Sequence, residues 1–235
     1  YKVTSEIKFD NYLKRIAKHV AYDYKEWRIN DTLACSYSTI DNRRVINANS
    51  YRAFILIHSG IRENNKMYLS KGIETIKYVM MMQKKNGSWP YSEDQSFIDT
   101  YHTCFILKNL YKILSYGTII SSEVEVSYNK GMEYYFSHLF DSKGYPIPYS
   151  LKPRVTLQKY DSYDFAESIS LLSDLNSKKS VLNDLLNFVK NHFQTKEGWF
   201  IFRLYPFIKL KGIPYMRYAN SSMFLALTKV IRKEL

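Results

Sequence analysis

Gln83-Lys84-Lys85-Asn86-Gly87-Ser88-Trp89-Pro90-Tyr91 lies between two long apolar stretches and holds both a Gly turn and a Pro breaker, which marks it as the bend of a helix hairpin. The spacing predicts helices over 67–84 and 98–116 on its two sides. The pattern recurs at a period of roughly 50 residues, pairing 11–24 with 45–59, 123–140 with 163–175, and 181–193 with 215–231. A polar loop is expected between the first two helices. In each pair the second helix opens on a polar cluster: Asn47-Ala48-Asn49, Asp99-Thr100-Tyr101-His102-Thr103, Asp161-Ser162-Tyr163-Asp164 and Tyr215-Met216-Arg217-Tyr218. Segments 145–149 and 199–204 alternate enough for brief extended pieces but not for a substantial sheet, so the chain is expected to be all-α. Hairpins with two apolar faces must stack on their neighbours, and a curved array brings equivalent openings to one face. Four hairpins are few for a closed ring. A small ring, a preceding portion of chain or a second subunit would complete it, and the whole of 1–235 is expected to form one domain.

Hydrophobic residues make up 46% of the chain, ample for a buried core. No apolar run reaches the roughly 18 residues of a membrane span. No signal peptide is visible, but the sequence starts at Tyr1 rather than Met, as a processed or truncated product that has lost such a signal would; the location is left open, with the cytoplasm slightly favoured. Cys35 and Cys104 stand far apart without metal-ligand spacing and are expected as buried thiols. A net charge of +12 favours polyanionic partners. Basic residues are nevertheless scattered, and no nucleic-acid recognition motif is present, which disfavours nucleic acid and leaves acidic carbohydrate or anionic lipid. No cofactor motif is present, and no cofactor or metal is expected.

The segment Gln83-x-x-x-Gly87-x-Trp89 resembles the Gln-x-x-x-Gly-x-Trp repeat of terpene cyclases and other α/α toroids, where it ties an outer helix to the following turn. With Asn86-Gly87-Ser88-Trp89-Pro90-Tyr91, Ile98-Asp99-Thr100-Tyr101-His102-Thr103, Tyr160-Asp161-Ser162-Tyr163-Asp164 and Ile213-Pro214-Tyr215-Met216-Arg217-Tyr218-Ala219, the C-terminal two thirds are similar to prenyltransferase-like toroid proteins of polysaccharide-biosynthesis loci. The resemblance implies an (α/α) toroid or partial toroid that acts on or binds sugars, related to uronate epimerases, polysaccharide lyases and unsaturated-uronate hydrolases. The Asp-rich motif of terpene cyclases is missing. Asp99, His102 and Cys104 are too crowded for a protein prenyltransferase zinc site.

The polar helix openings are the candidate site, because helix N-termini offer free N–H groups and a positive dipole to a sugar carboxylate. His102 is the leading general base or acid, against a core histidine bonded to a neighbouring helix. Asp99 and Asp161 stand where N-caps are expected. Asp164 and Glu167, three residues apart on one helical face, would push each other's proton affinities apart, unless they form a solvated face or pair with Lys159 or Arg217. Arg217, beside Tyr215 and Tyr218, suits a carboxylate. Trp89, Tyr91, Tyr101, Tyr163 and Trp199 are candidate stacking surfaces, against plain packing. One scheme follows: Arg217 and Asn49 neutralise a uronate carboxylate, His102 takes the adjacent proton, and Tyr101 or Tyr218 is the opposing acid, giving an epimerase or lyase. Asn47, Asn49, Trp89, Tyr91, Lys159, Tyr163, Glu167 and Tyr215 would bind substrate. The alternatives are a glycoside hydrolase using Asp99 and Asp164, and a non-catalytic glycan-binding or assembly module.

Overall fold

The computed structural model describes residues 7–118, 120–175, 178–206 and 215–234. Ile213 and Pro214, quoted above, lie outside the described residues. The chain divides into two compact units, Tyr1–Ser96 with Asn109–Lys130, and Phe97–Lys108 with Gly131–Leu235.

In the first unit, Ala17 and Ala21 of α1 (Ile7–Tyr22) pack with Leu56 of α2 (Ile46–Arg62) and Tyr68 of α3 (Lys66–Met81). The expected polar loop after α1 is instead a β-hairpin, β1 (Glu26–Ile29) with β2 (Thr32–Cys35), in antiparallel register Trp27↔Ala34 and Arg28↔Leu33. The two-residue turn Asn30-Asp31 explains it: Asn30 takes the left-handed conformation (φ 54°) that such tight turns need, and Asn tolerates it. β2 is buried along its whole length, whereas β1 alternates between exposed and half-buried residues.

Helices α2 and α3 approach closely through two glycines. A Cβ on Gly60 would lie 2.6 Å from Leu69 N, and one on Gly72 would lie 2.7 Å from Ile57 Cγ1. Asn65 caps α3, its side chain accepting from Met67 N and Tyr68 N at 3.1 Å each. The turn after α3 is tied down as the resemblance of Gln83, Gly87 and Trp89 to the toroid repeat implied. Gln83 Nε2 donates to Gly87 O and to Ser127 O, both at 2.9 Å, and Ser127 Oγ donates to Gln83 Oε1 at 2.8 Å. Gly87 has φ +90°, and any side chain there would meet Lys130 O.

The second unit is built around α6 (Ser162–Leu175), which is buried on nearly every side. Phe165, Ile169 and Leu172 join Leu185 of α7 (Lys179–Phe188), Val189 and Phe193 of the π-turn that extends α7, and Met223, Ala226 and Val230 of α8 (Ser222–Glu234). Helices α4 (Thr100–Leu114) and α5 (Ser121–His138) each give one end to this unit and the other to the first. Two strand pairs complete it. β3 (Ile98–Asp99) pairs antiparallel with β4 (Tyr149–Leu151), and β5 (Tyr160–Asp161) with β6 (Arg203–Leu204). These are the extended pieces foreseen near 145–149 and 199–204, the first displaced by several residues. The helix expected from 215 opens as a π-turn, Met216–Ser221.

Candidate functional site

β3 and β5 each end in an aspartate and run straight into a helix. Asp99 precedes α4, and Asp161 precedes α6. Ile98-Asp99-Thr100-Tyr101-His102 and Tyr160-Asp161-Ser162-Tyr163-Asp164 are therefore equivalent strand-to-helix openings, with Asp99 matching Asp161, Tyr101 matching Tyr163, and His102 matching Asp164. Strand pairing fixes where each helix begins. Asp99 lies opposite Tyr149, and Asp161 opposite Arg203.

Both aspartates cap their helices. Asp99 Oδ1 accepts from His102 N at 2.8 Å, and Asp161 Oδ1 accepts from Tyr163 N at 3.0 Å. Each has a second oxygen left for a side chain. Asp99 Oδ2 lies 2.6 Å from His102 Nδ1, and Asp161 Oδ2 accepts from Arg203 Nε at 2.9 Å. The Asp99 carboxylate holds the His102 ring by its Nδ1 and so orients the imidazole.

Asp164 is only 1% exposed, and its Oδ1 has no hydrogen-bond partner. Burial raises its proton affinity well above the ordinary carboxylate range, and the nearby Asp161 and Asp99 carboxylates raise it further, against a backbone N–H from Tyr101. Burial also raises Asp161, opposed by Arg203 and the Tyr163 N–H. Asp161 is bonded to the Arg203 guanidinium whereas Asp164 keeps one oxygen without a hydrogen-bond partner, so Asp164 is the carboxyl of the two that favours its proton. The Tyr101 phenol is likewise pushed up by burial and then by Asp99 and Asp164, which keeps it neutral.

Aromatic rings line this cluster. Tyr101 lies 4.1 Å from the His102 ring and 4.9 Å from Tyr163, whose ring is 5.8 Å from Tyr218. Phe97 touches both His102 and Tyr149, and Phe202 links Tyr218 to Tyr215 at 6.0 and 5.2 Å. Asp99, Tyr101, His102, Tyr163, Asp164 and Tyr218 thus share one neighbourhood, joined by Asp161 and by Arg203, which the sequence reading passed over. Arg203 was legible only through β-pairing, since 42 residues separate it from Asp161.

Other candidates are placed differently. Glu167 does not share a free carboxylate face with Asp164: it forms a buried ion pair with Lys108. Arg217 is exposed and lies over the Tyr218 ring at 5.1 Å, while the cation at Asp161 is Arg203. Lys159 is exposed over Tyr160, and Tyr215 is 48% exposed beside Phe202. The remaining four fall in the first unit. Trp89, expected as a stacking surface, is buried and donates its indole N–H to Val79 O at 2.9 Å; packing won there because the indole fills the turn it belongs to. Asn49 is buried and holds β2, its side chain bonding both the N–H and the carbonyl of Cys35. Asn47 is buried at the start of α2, and Tyr91 is half-buried, its carbonyl accepting from Ile46 N. Among the described residues, no three or more His, Cys, Asp or Glu side chains are grouped so as to hold a metal ion. Nor is any helix among them long and apolar enough to cross a membrane.

No protein-family model matches the chain, and no curated protein matches it in sequence. Solved structures do match. An unsaturated glucuronyl hydrolase from Bacillus sp. GL1, described as responsible for the degradation of glycosaminoglycan, matches with TM-score 0.70 at 10% identity, over 99% of this chain and 70% of that one. A polysaccharide lyase matches with TM-score 0.60 at 12% identity, over 84% and 64% of the two chains. A D-mannose isomerase matches with TM-score 0.63 at 14% identity, over 86% and 56%. The chain spans 56 to 70% of the length of these three. At such low identity the likeness establishes the fold, an all-α (α/α) toroid, and leaves the chemistry to the site itself.

Proposed function

We propose that the protein is a carbohydrate-active enzyme that hydrolyses an acidic, uronate-containing saccharide, with Asp164 as the proton donor. The observation that carries this reading is Asp164 itself. A carboxyl group 1% exposed, with one unpartnered oxygen and carboxylate neighbours, holds a proton where an ordinary aspartate has lost it. That is the property of a general acid near neutral pH.

His102 supplies the opposite half. Oriented by Asp99 through Nδ1, the imidazole acts as the base toward an attacking water, while Asp164 protonates the sugar at the bond being broken. Tyr101 and Tyr163 offer ring faces to the sugar. The net charge of +12 draws an anionic substrate. The glucuronyl hydrolase and polysaccharide lyase matched in fold support this substrate class.

A second reading rests on the Asp99–His102 pair alone. The same oriented imidazole could abstract the proton beside a uronate carboxylate, which is lyase or epimerase chemistry. One assay separates the two on unsaturated-uronyl oligosaccharides and intact uronate polymers. Hydrolysis removes the ultraviolet absorbance of the unsaturated ring; a lyase creates it; an epimerase exchanges a ring proton with solvent and cleaves nothing. We expect loss of absorbance, abolished in Asp164→Asn. Full turnover by that variant, or tight binding of every saccharide without turnover, would overturn the proposal.

A further inference from the structure

The first unit holds a cavity of about 260 Å³ between β2 and the opening of α2, lined by Val20, Tyr24, Tyr37, Asn47, Arg52 and Ile55 among others. Two of its lining residues each carry a buried polar atom that lacks a hydrogen-bond partner: Asn47 Oδ1, on a residue 9% exposed, and Arg52 Nη1, on one 3% exposed. Orphaned buried groups of this kind are uncommon, and here there is one acceptor and one charged donor. They stand five residues apart on the helix that forms the cavity wall.

Arg52 is anchored on its other nitrogens. Its Nε donates to Val20 O at 3.2 Å, and Nη2 pairs with Glu26. Glu26 also accepts from Lys71 Nζ at 2.8 Å. One carboxylate thus serves two cations, which leaves surplus positive charge beside the cavity, where the guanidinium also lies against the Cys35 thiol. The ligand must therefore bring an anionic acceptor for Arg52 and a hydroxyl or N–H donor for Asn47. Tyr24, Tyr37 and Tyr51 supply flat walls, and the volume admits one substituted ring rather than a chain of them.

We propose that this cavity binds a single acidic monosaccharide unit, its carboxylate on Arg52 and a ring hydroxyl on Asn47. The site is argued from the first unit alone and does not rest on the hydrolytic reading of Asp164. Equilibrium binding of glucuronate, galacturonate, glucose and acetate to the full chain tests it, with Asn47→Leu and Ala48→Leu as variants. The first removes the orphaned acceptor, and the second fills the cavity without touching an ion pair. A uronate is expected to bind about tenfold or more tighter than glucose or acetate, and each variant to lose about tenfold or more with an unchanged melting temperature. Cys35, at the cavity wall, localises the event: the uronate should slow its alkylation in the wild type and not in Ala48→Leu, with Cys104 as internal reference. Equal affinity in wild type and variants, equal affinity for glucose, no binding of any probe, or Cys35 alkylation indifferent to the uronate would each overturn the proposal.

Discussion

Asp164→Asn should make the protein less active and more stable, and the stability gain should depend on pH in a way that only a buried proton explains. The substitution keeps the side chain's shape, retains an oxygen for the Tyr101 N–H and removes the ionisable group. In the unfolded chain an aspartate titrates near about 3.9. In the folded protein its proton affinity is raised, so the folded state holds the proton to higher pH than the unfolded one. The stability contributed by that proton is complete below the unfolded value and is lost as pH rises toward the folded one. The loss runs at up to about 1.4 kcal/mol per pH unit, one proton's worth. Asn has no proton to lose. The difference between variant and wild type should therefore grow in the variant's favour from about pH 4 upward and level off once the wild-type group has ionised. Urea midpoints measured at a series of pH values, with matched m-values, read this directly. Turnover should meanwhile fall by about 10²- to 10⁴-fold, the usual share of a general acid. A stability difference that is flat with pH, or one that favours the wild type as pH rises, would refute the assignment of the proton to Asp164.

Breaking the buried Lys108–Glu167 pair with Glu167→Leu should cost about 3 to 5 kcal/mol, a melting-temperature drop of about 6 to 20 °C, whereas Lys108→Met with Glu167→Leu should return close to wild type. Calorimetry of the two variants checks both values. Asp99→Ala removes a helix cap worth about 0.5 to 2 kcal/mol and the partner of His102, so chemical denaturation should register that loss while turnover falls by far more than stability accounts for. Gly87→Ala should destabilise by about 2 kcal/mol or more, since φ +90° and the Lys130 carbonyl both oppose a side chain; a urea titration decides.

The hairpin repeat was legible because each helix carries an apolar face at helical spacing and each bend carries its own breaker, as at Gly87 and Pro90. The β1–β2 hairpin was missed although its signal was present: Asn30-Asp31 is a two-residue turn between the alternating Glu26-Trp27-Arg28-Ile29 and the short, mostly apolar Thr32-Leu33-Ala34-Cys35. Partnerships across the chain were harder. Nothing local to Glu167 announces Lys108, 59 residues away, and nothing local to Asp161 announces Arg203. Spacing on one helix placed Asp164 and Glu167 together, and the packing of α6, buried nearly all round, then sent them to different partners.

The aspartates at the helix openings posed a choice in the sequence between capping and chemistry, and the geometry removes the conflict. Asp99 gives one oxygen to a backbone N–H and the other to His102; Asp161 does the same with Tyr163 N and Arg203. Capping fixes the carboxylate with respect to the helix axis, and the strand before it fixes where that helix starts. The residue at the third helical position is then aimed by construction. In α4 that residue is His102 and in α6 it is Asp164, a base-type group and an acid-type group at matching points of two repeats. Divergence at a single position of a repeated strand-to-helix opening thus puts an imidazole at one and a carboxyl at the other, as the proposed acid–base pair requires, and it is burial first and the two fixed carboxylates second that favour the proton on Asp164.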